Sequence, residues 1–377
     1  MPDVIVVGAG LIGLGIAYEL AKRDVSVTVY DRDEPARAAS WAGAGMLAPF
    51  SEATPDAALL ELCRDSLALY PEFVAELRER SGVDARFRCD GTLHVALDRA
   101  RLAELAAQAD MFRANGGDVS MFDREDALAR EPLLAKDLAG ALFVANEAQV
   151  DNRRLGRALL AACESLGVRF ARVEQLAIEC DARRVRGVRT AHGFATAATV
   201  INAAGAWAGE LPGVPESARM RVRPVAGQML AIALPRAAMR ALVWLGHRYL
   251  VPRDDGRLLV GATVEEGGFE ARVTAAGMHD LLDAALAVAP SLASFAVVET
   301  WAGLRPGSHD GRPYLGATPL DGYIAACGHY RNGILLAPVT ARAIAALVID
   351  GTAEQLAPFA PMRGGTEPVG AAANGAS

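Results

Sequence analysis

The sequence predicts an α/β protein, α+β overall, in which a nucleotide-binding βαβ domain is interleaved with an antiparallel-sheet domain. Three observations predict it. Residues 4–31 form a complete strand, glycine turn, helix and strand. Residues 219–300 change character, with strand-like runs around the hairpin signal Asp255-Gly256. The first pattern resumes around this region, so the chain crosses between two domains several times.

Val4-Ile5-Val6-Val7 is an all-β-branched run, as expected of a strand buried on both faces. Gly8-Ala9-Gly10-Leu11-Ile12-Gly13 follows directly, and Ile16, Ala17, Leu20 and Ala21 then recur at helical spacing. A second β-branched run, Val25 to Val29, ends at Tyr30-Asp31. In such a unit Gly8 permits the tight turn, Gly10 lets a pyrophosphate approach the backbone, and Gly13 lets the helix pack on the strand. The helix N-terminus offers N–H groups to phosphates. Asp31 stands where an acidic side chain accepts from ribose hydroxyls. A glycine turn alone also occurs without a ligand. Strand, helix and acidic residue together read as dinucleotide binding.

The next segment, Ala38 to Pro49, is too glycine-rich for a stable helix of its own. It either wraps a cofactor, with Ser40 and backbone N–H groups on it, or is an ordinary loop. Residues 57–80 carry an amphipathic helix pattern through Pro71, 87–97 read as strands around Asp90-Gly91, and 98–114 as helix. Strands at 142–144 and 149–151 are expected to return toward the first domain, followed by a helix at 155–166 and a strand from Gly167. The apolar run from Ala198 ends in Asn202-Ala203-Ala204-Gly205, which fits either a nucleotide-sheet strand approaching a ligand or a structural bend. Strands at 221–230, 249–253 and 257–261, a helix at 274–288 and a strand at 296–301 make up the antiparallel region. A helix at 338–350 closes the first domain, and 362–377 reads as a disordered tail.

The 377 residues suffice for one large or two ordinary domains. A net charge of −7 disfavours nucleic acid and anionic membranes as main partners. The apolar stretch 334–349 contains Pro338 and Arg342 and reads as a buried helix, not a membrane span. No signal peptide is recognised, and five cysteines without CxxC spacing read as buried thiols in a reducing cytoplasm, with no metal site.

Residues 301–338 are the most informative. Trp301-Ala302-Gly303-Leu304-Arg305-Pro306-Gly307 and Gly328-His329-Tyr330-Arg331-Asn332-Gly333 set arginines among glycines in half-buried-looking segments. A buried guanidinium is costly unless it meets an anion, and its planar fork suits a carboxylate. Taken with the N-terminus, this suggests a flavin site with an arginine placed for a small carboxylate substrate.

These residues carry a resemblance. Through Ser40 to Pro49, Tyr249 to Arg253, Leu259 to Thr263, Trp301 to Gly316 and, most specifically, Gly328 to Pro338, the chain resembles the glycine/D-amino-acid oxidase family of flavoproteins. The likeness runs along nearly its whole length and is narrowest to the thiamine-pathway glycine oxidases. The fold it implies is a Rossmann-type FAD-binding domain (1–82, 140–215 and 301–361) interleaved with an antiparallel-sheet substrate domain (83–139 and 216–300). Leu11, Ile12, Asp31, Arg32, Ala39, Ser40, Ala44, Gly45 and Met46 fall on FAD-contacting positions, and Leu176 on a backbone contact to adenine. His329, Tyr330, Arg331, Asn332, Gly333, Ile334 and Leu335 match the loop under the isoalloxazine ring. Arg305 falls on the arginine that binds the substrate carboxylate, Tyr249 on a tyrosine beside it, and Arg331 is a second candidate for that pocket. His247 lines up near the active site or is a structural histidine. Cys327 does not match the cysteine of covalent flavoproteins, so non-covalent FAD is expected.

The implied activity is oxidation of glycine to the imine, then glyoxylate and ammonia, with dioxygen reduced to hydrogen peroxide. The setting is a cytoplasmic homotetramer serving thiazole formation. Competing expectations are a D-amino-acid or sarcosine oxidase, a dehydrogenase passing electrons to a quinone, and a non-enzymatic FAD carrier.

Overall fold

A computed structural model describes residues 3–52 and 56–363. Along the chain run β1 (Val4–Val7), α1 (Leu11–Ala21), β2 (Val27–Asp31), α2 (Ala39–Ala42), β3 (Met46–Leu47), α3 (Ala57–Ser81), β4 (Thr92–Ala96), α4 (Arg99–Ala114), β5 (Val119–Phe122) and α5 (Arg124–Arg130). Then come β6 (Gly140–Val144), β7 (Ala148–Gln149), α6 (Asn152–Ser165), β8 (Arg169–Arg172), β9 (Leu176–Cys180), β10 (Val185–Thr190), β11 (Gly193–Thr196), β12 (Thr199–Asn202) and β13 (Arg223–Ala233). The last are β14 (Leu242–Leu245), β15 (Arg248–Pro252), β16 (Arg257–Gly261), α7 (Ala275–Val288), β17 (Val297–Gly307), β18 (Tyr314–Ala317), β19 (Tyr323–Cys327) and α8 (Ala337–Asp350).

The chain divides into two compact units, residues 1–39, 159–225 and 305–377, and residues 40–158 and 226–304. The first holds a six-stranded sheet in the order β18-β19-β12-β1-β2-β8. Neighbours are parallel except for β18, which runs antiparallel to β19. β1 is buried at every position, as its β-branched run requires of a central parallel strand. The Asn202-Ala203 run is a strand of this nucleotide sheet, because β12 lies beside β1 with Asn202 opposite Val7. Helices α1 and α8 pack closely, and a Cβ on Gly15 would stand 3.2 Å from Ala341 Cβ. A three-stranded antiparallel sheet, β11-β10-β9, completes the unit.

The second unit is built on a largely antiparallel sheet, β17-β13-β16-β15-β14-β4-β6-β5, in which only β14 and β4 are shown parallel. Alternation along the strands gives it two apolar faces. One buries Leu93, Leu230, Val243, Leu250 and Val260 with Leu281 and Ala285 of α7. The other gathers Met229, Trp244, Tyr249, Leu259 and Trp301 with Ala44.

Several expectations need correction. By their internal packing, residues 40–82 and 140–158 group with the second unit. β3 pairs with β7, the Phe50 and Ser51 amides donate to Glu147, and Leu60 of α3 packs against the cluster that holds Phe112, Leu142 and Val144. The strand at 142–144 therefore pairs with β4 and β5 and does not return to the first sheet. The glycine-rich segment after Asp31 does contain one helical turn, α2. β17 runs on through Arg305 to Gly307 instead of closing at Trp301. Of the expected tail, 364–377 lie outside the described residues. Arg363 is anchored, giving Nε and Nη2 to the two oxygens of Asp310 at 2.9 Å each and stacking over the Tyr314 ring.

Candidate active site

At the N-terminal turn, Gly8 has φ +107°, a left-handed value, and a Cβ there would stand 2.3 Å from the Ala203 carbonyl oxygen. A Cβ on Gly13 would meet Gly8 O at 1.9 Å. The turn is thus pressed on one side by the end of β12 and on the other by α1, and both sites exclude a side chain. Gly10 caps α1 without a side-chain hydrogen bond, and the first turn closes with Leu14 N donating to Gly10 O at 2.9 Å. The amides of Leu11, Ile12 and Gly13 precede that bond at the positive end of the helix.

The Asp31 carboxylate accepts from Ala9 N at 2.6 Å through Oδ2 and from Asp33 N at 3.0 Å through Oδ1. It thereby ties the glycine turn to the end of β2, leaving further lone pairs for a ligand. Arg32 is exposed, with its guanidinium 3.6 Å above the Trp207 ring. Leu176 opens β9 and packs in the cluster that includes Tyr30 and Ala204.

The Arg305 segment lies in the same unit. Gly307 bridges to His329, and Tyr330 N donates to Pro306 O at 2.9 Å, so the end of β17 runs beside the loop carrying Arg331. Tyr330 takes φ +47°, Asn332 N closes a turn onto His329 O, and Leu336 N donates to Asn332 O as the chain enters α8. Arg305, Arg331, Asn332, Gly333 and Ile334 are half-buried, and Leu335 is buried. The His329 side chain faces α8, with Nε2 3.1 Å from Thr340 Oγ1. Burial pushes its imidazole down to about 3, so it is neutral. Any part that His329 plays toward a flavin falls to its backbone.

In the second unit, Ala44 and Met46 share one apolar cluster with Tyr249, Trp244 and Trp301. Asn152 Nδ2 donates to Ser40 O at 2.7 Å and to Trp41 O at 3.1 Å, pinning the one-turn helix. A residue the sequence reading missed organises this segment. Arg253 is 7% exposed and gives Nη2 to Ala44 O at 2.6 Å and to Asn152 Oδ1 at 2.9 Å, and Nη1 to Val150 O at 3.1 Å. A Cβ on Gly45 would strike Val150 O at 2.0 Å and Arg253 Nη2 at 2.9 Å. The sequence signal was available in Arg253 itself, a charged residue closing an apolar strand. His247 is exposed in the turn between β14 and β15.

A second cluster was also missed. Ser51 Oγ donates to Glu147 Oε2 at 2.5 Å and stands 2.7 Å from His94 Nε2. One hydroxyl hydrogen cannot serve both partners, so His94 carries its proton on Nε2 and donates to Ser51. Burial pushes His94 down to about 3 and raises Glu147. The order, carboxylate to serine to histidine, places no base on the serine, and the cluster is structural.

A family model described as FAD dependent oxidoreductase matches residues 3–347. This chain belongs to that family. A glycine oxidase from Geobacillus kaustophilus is 37% identical over 366 residues, covering 96% of this chain and 97% of that protein. The crystal structure of glycine oxidase from Geobacillus kaustophilus superposes with a TM-score of 0.91 at 36% identity, covering 97% of this chain and 99% of the other. An iminodiacetate oxidase from Chelativorans sp. BNC1 gives a TM-score of 0.88 at 29% identity, covering 95% and 98%. The bifunctional protein ThiO/ThiG of Synechocystis is 37% identical over 376 residues, covering 96% of this chain. The chain spans about half the length of such bifunctional relatives, 54% for that one.

FAD is the cofactor of this family, and the geometry fits it. Two glycines leave no room for side chains, a helix N-terminus carries no side-chain cap, and a carboxylate closes β2. As a member of the FAD-dependent oxidoreductases, the chain would hold pyrophosphate at Gly8 to Gly13 and ribose at Asp31. The cysteines are free thiols, and burial pushes Cys63, Cys163 and Cys327 up to about 12, far from thiolate reactivity. Among the described residues, no helix is long and apolar enough to cross a membrane, and no group of three or more His, Cys, Asp or Glu could hold a metal ion.

Proposed function

We propose that this chain is a glycine oxidase. Glycine, dioxygen and water become glyoxylate, ammonia and hydrogen peroxide, and the product serves thiazole formation in thiamine biosynthesis. The placement of Arg305 carries the reading. It projects from the end of β17, half-buried, where that strand is bonded to the loop matching the ring-binding loop of the family. The near full-length likeness to glycine oxidases supports the substrate class.

When bound, FAD supplies the two-electron acceptor that takes hydride from the substrate Cα and passes the electrons to dioxygen. The chain's own contribution is binding and orientation. Arg305 meets the carboxylate with a charge-assisted, two-pronged hydrogen bond that fixes the direction of the Cα–H bond. Tyr249 stands beside the substrate, and Arg331 adds positive charge for the same anion. Leu11 to Gly13, Asp31, Arg32, Ala39, Ser40 and Ala44 to Met46 hold the cofactor without a covalent bond. Hydride leaves only from the neutral amine, so turnover should rise with pH as the substrate ammonium loses its proton.

The test is a panel of glycine, sarcosine, iminodiacetate and D-amino acids, with peroxide detection in air. Peroxide released fastest with glycine supports the reading. Reduction of an artificial quinone without peroxide would overturn it. In the same assay, Arg305→Ala should raise the KM for glycine and weaken glycolate binding in parallel. Losing one partner of a charged pair costs about 2–4 kcal/mol, roughly thirty- to a thousand-fold. A variant with normal KM but lowered melting temperature and flavin content would make Arg305 a structural arginine.

A further inference from the structure

Four positions lie directly opposite one another across four adjacent strands of the second unit. Gly261 of β16 pairs with Tyr249 of β15, Tyr249 with Trp244 of β14, and Trp244 with His94 of β4. Facing positions on neighbouring strands put their side chains in contact. Each contact in this row is close. A Cβ added to Gly261 would stand 2.5 Å from Cε2, 2.7 Å from Cζ and 2.8 Å from the hydroxyl oxygen of Tyr249. The Tyr249 ring therefore occupies the space above Gly261. The backbone there is not left-handed, so it is the ring, not the conformation, that demands glycine.

On the other side, the Trp244 and Tyr249 ring centroids are 5.3 Å apart at 52°. Trp244 is stacked in turn on His94, at 5.9 Å and 23°. The Trp244 indole N–H has no hydrogen-bond partner among the described residues, so packing sets the ring. His94 is fixed through Ser51, which is bonded to the buried Glu147. The row thus runs from a hydrogen-bonded anchor, through two stacked rings, to a tyrosine whose floor is a bare Cα.

We propose that Gly261 and Trp244 are positioning residues that set the Tyr249 hydroxyl for the substrate. Gly261 fixes its depth, Trp244 its lateral position, and His94 backs the indole. The proposal rests on the reading of Tyr249 as the tyrosine beside the substrate.

The experiment is a mutant cycle on FAD-loaded enzyme with Gly261→Ala, Tyr249→Ala and the double variant. Trp244→Phe is made in both backgrounds. Glycine KM and kcat are measured, together with glycolate affinity from flavin absorbance and the melting temperature. Gly261→Ala should raise the glycine KM and the glycolate Kd about ten- to a hundred-fold, the scale of a displacement approaching 1 Å at a reacting site. kcat should fall less, and flavin content should hold. In the Tyr249→Ala background the same change should add under about twofold, because no ring remains to displace. Trp244→Phe should give a smaller rise, about three- to tenfold, also lost without the Tyr249 ring. It decides the matter alone if Gly261→Ala yields no soluble holoenzyme. Wild-type KM and Kd in Gly261→Ala, or an equal effect in both backgrounds, would overturn the proposal. So would a fall in melting temperature with unchanged KM. If Tyr249→Ala itself leaves KM and glycolate Kd unchanged, the placement of Tyr249 is wrong and the proposal falls with it. If Tyr249→Ala impairs both and Gly261→Ala neither, only the positioning idea fails.

Discussion

Asp31 has one job in the fold and a second that is proposed for it. Its Oδ2 holds the Ala9 amide of the glycine turn, and the sequence reading gives it a ribose hydroxyl as well. Asp31→Ala should therefore cost FAD about 1.5–3 kcal/mol of binding as a charged hydrogen bond is lost. The variant should purify partly as apoprotein while staying folded. FAD occupancy equal to wild type would reduce Asp31 to a strand-end residue that merely pins a turn. The tight turn at Gly8 and Gly13 and its closeness to the end of β2 were legible because they follow from backbone geometry over some twenty residues. Arg253 was not. A buried guanidinium is expected to meet an anion, which singles out Arg305, yet Arg305 is half-buried, whereas the deeply buried Arg253 is satisfied by the Val150 and Ala44 carbonyls and the Asn152 amide oxygen. Those partners come from residues about a hundred or more positions away, and no local pattern announces them. Arg253→Met should strand these acceptors and cost about 2–4 kcal/mol, seen as a clear fall in melting temperature of the holoenzyme.

At the scale of elements, the long periodic helices α3, α4, α7 and α8 lie where their apolar spacing placed them, each within a few residues. β17 was read short. Gly303, Pro306 and Gly307 look like breakers, yet Gly303 is required inside the strand because a Cβ there would stand 2.4 Å from Ala42 Cβ. The strand and the α2 turn approach each other through that glycine. Gly303→Ala should push α2 away and lower FAD retention on gel filtration, whereas retention at the wild-type level would show that α2 is irrelevant to the cofactor. The three-stranded sheet β9-β10-β11 escaped the sequence reading for the opposite reason. Its strands are short and carry exposed charges, with Arg189 donating to Glu179 between β10 and β9, and their buried positions, Ile178, Val185 and Val188, are too few to reveal a period.

Across the whole molecule, unit boundaries were the least legible feature, since they depend on pairings such as β3 with β7 and Ser51 with Glu147 that span about a hundred residues. The interleaving itself was legible from the switch between strand–helix alternation and hairpins. A pH dependence of stability also belongs at this scale. Burial pushes both His94 and His329 down to about 3, from an ordinary value of 6.5. Below pH 6.5 the unfolded chain takes up protons there that the folded chain refuses, so stability falls as pH drops toward 3. Between pH 6.5 and 5 each histidine should cost about 2 kcal/mol. Glu147, raised by burial, works in the other direction, removing stability as pH rises above the ordinary carboxylate range. His94→Gln keeps a neutral donor for Ser51 and should flatten the acid limb of the melting-temperature profile. An unchanged limb would place the acid sensitivity elsewhere.

Arg363 grips both oxygens of Asp310, donates to the Arg312 carbonyl at 2.7 Å and covers the Tyr314 ring. That grip locks the chain to the β17–β18 connection at one defined residue. Breaking that ion pair would free the last described turn from the connection between β17 and β18.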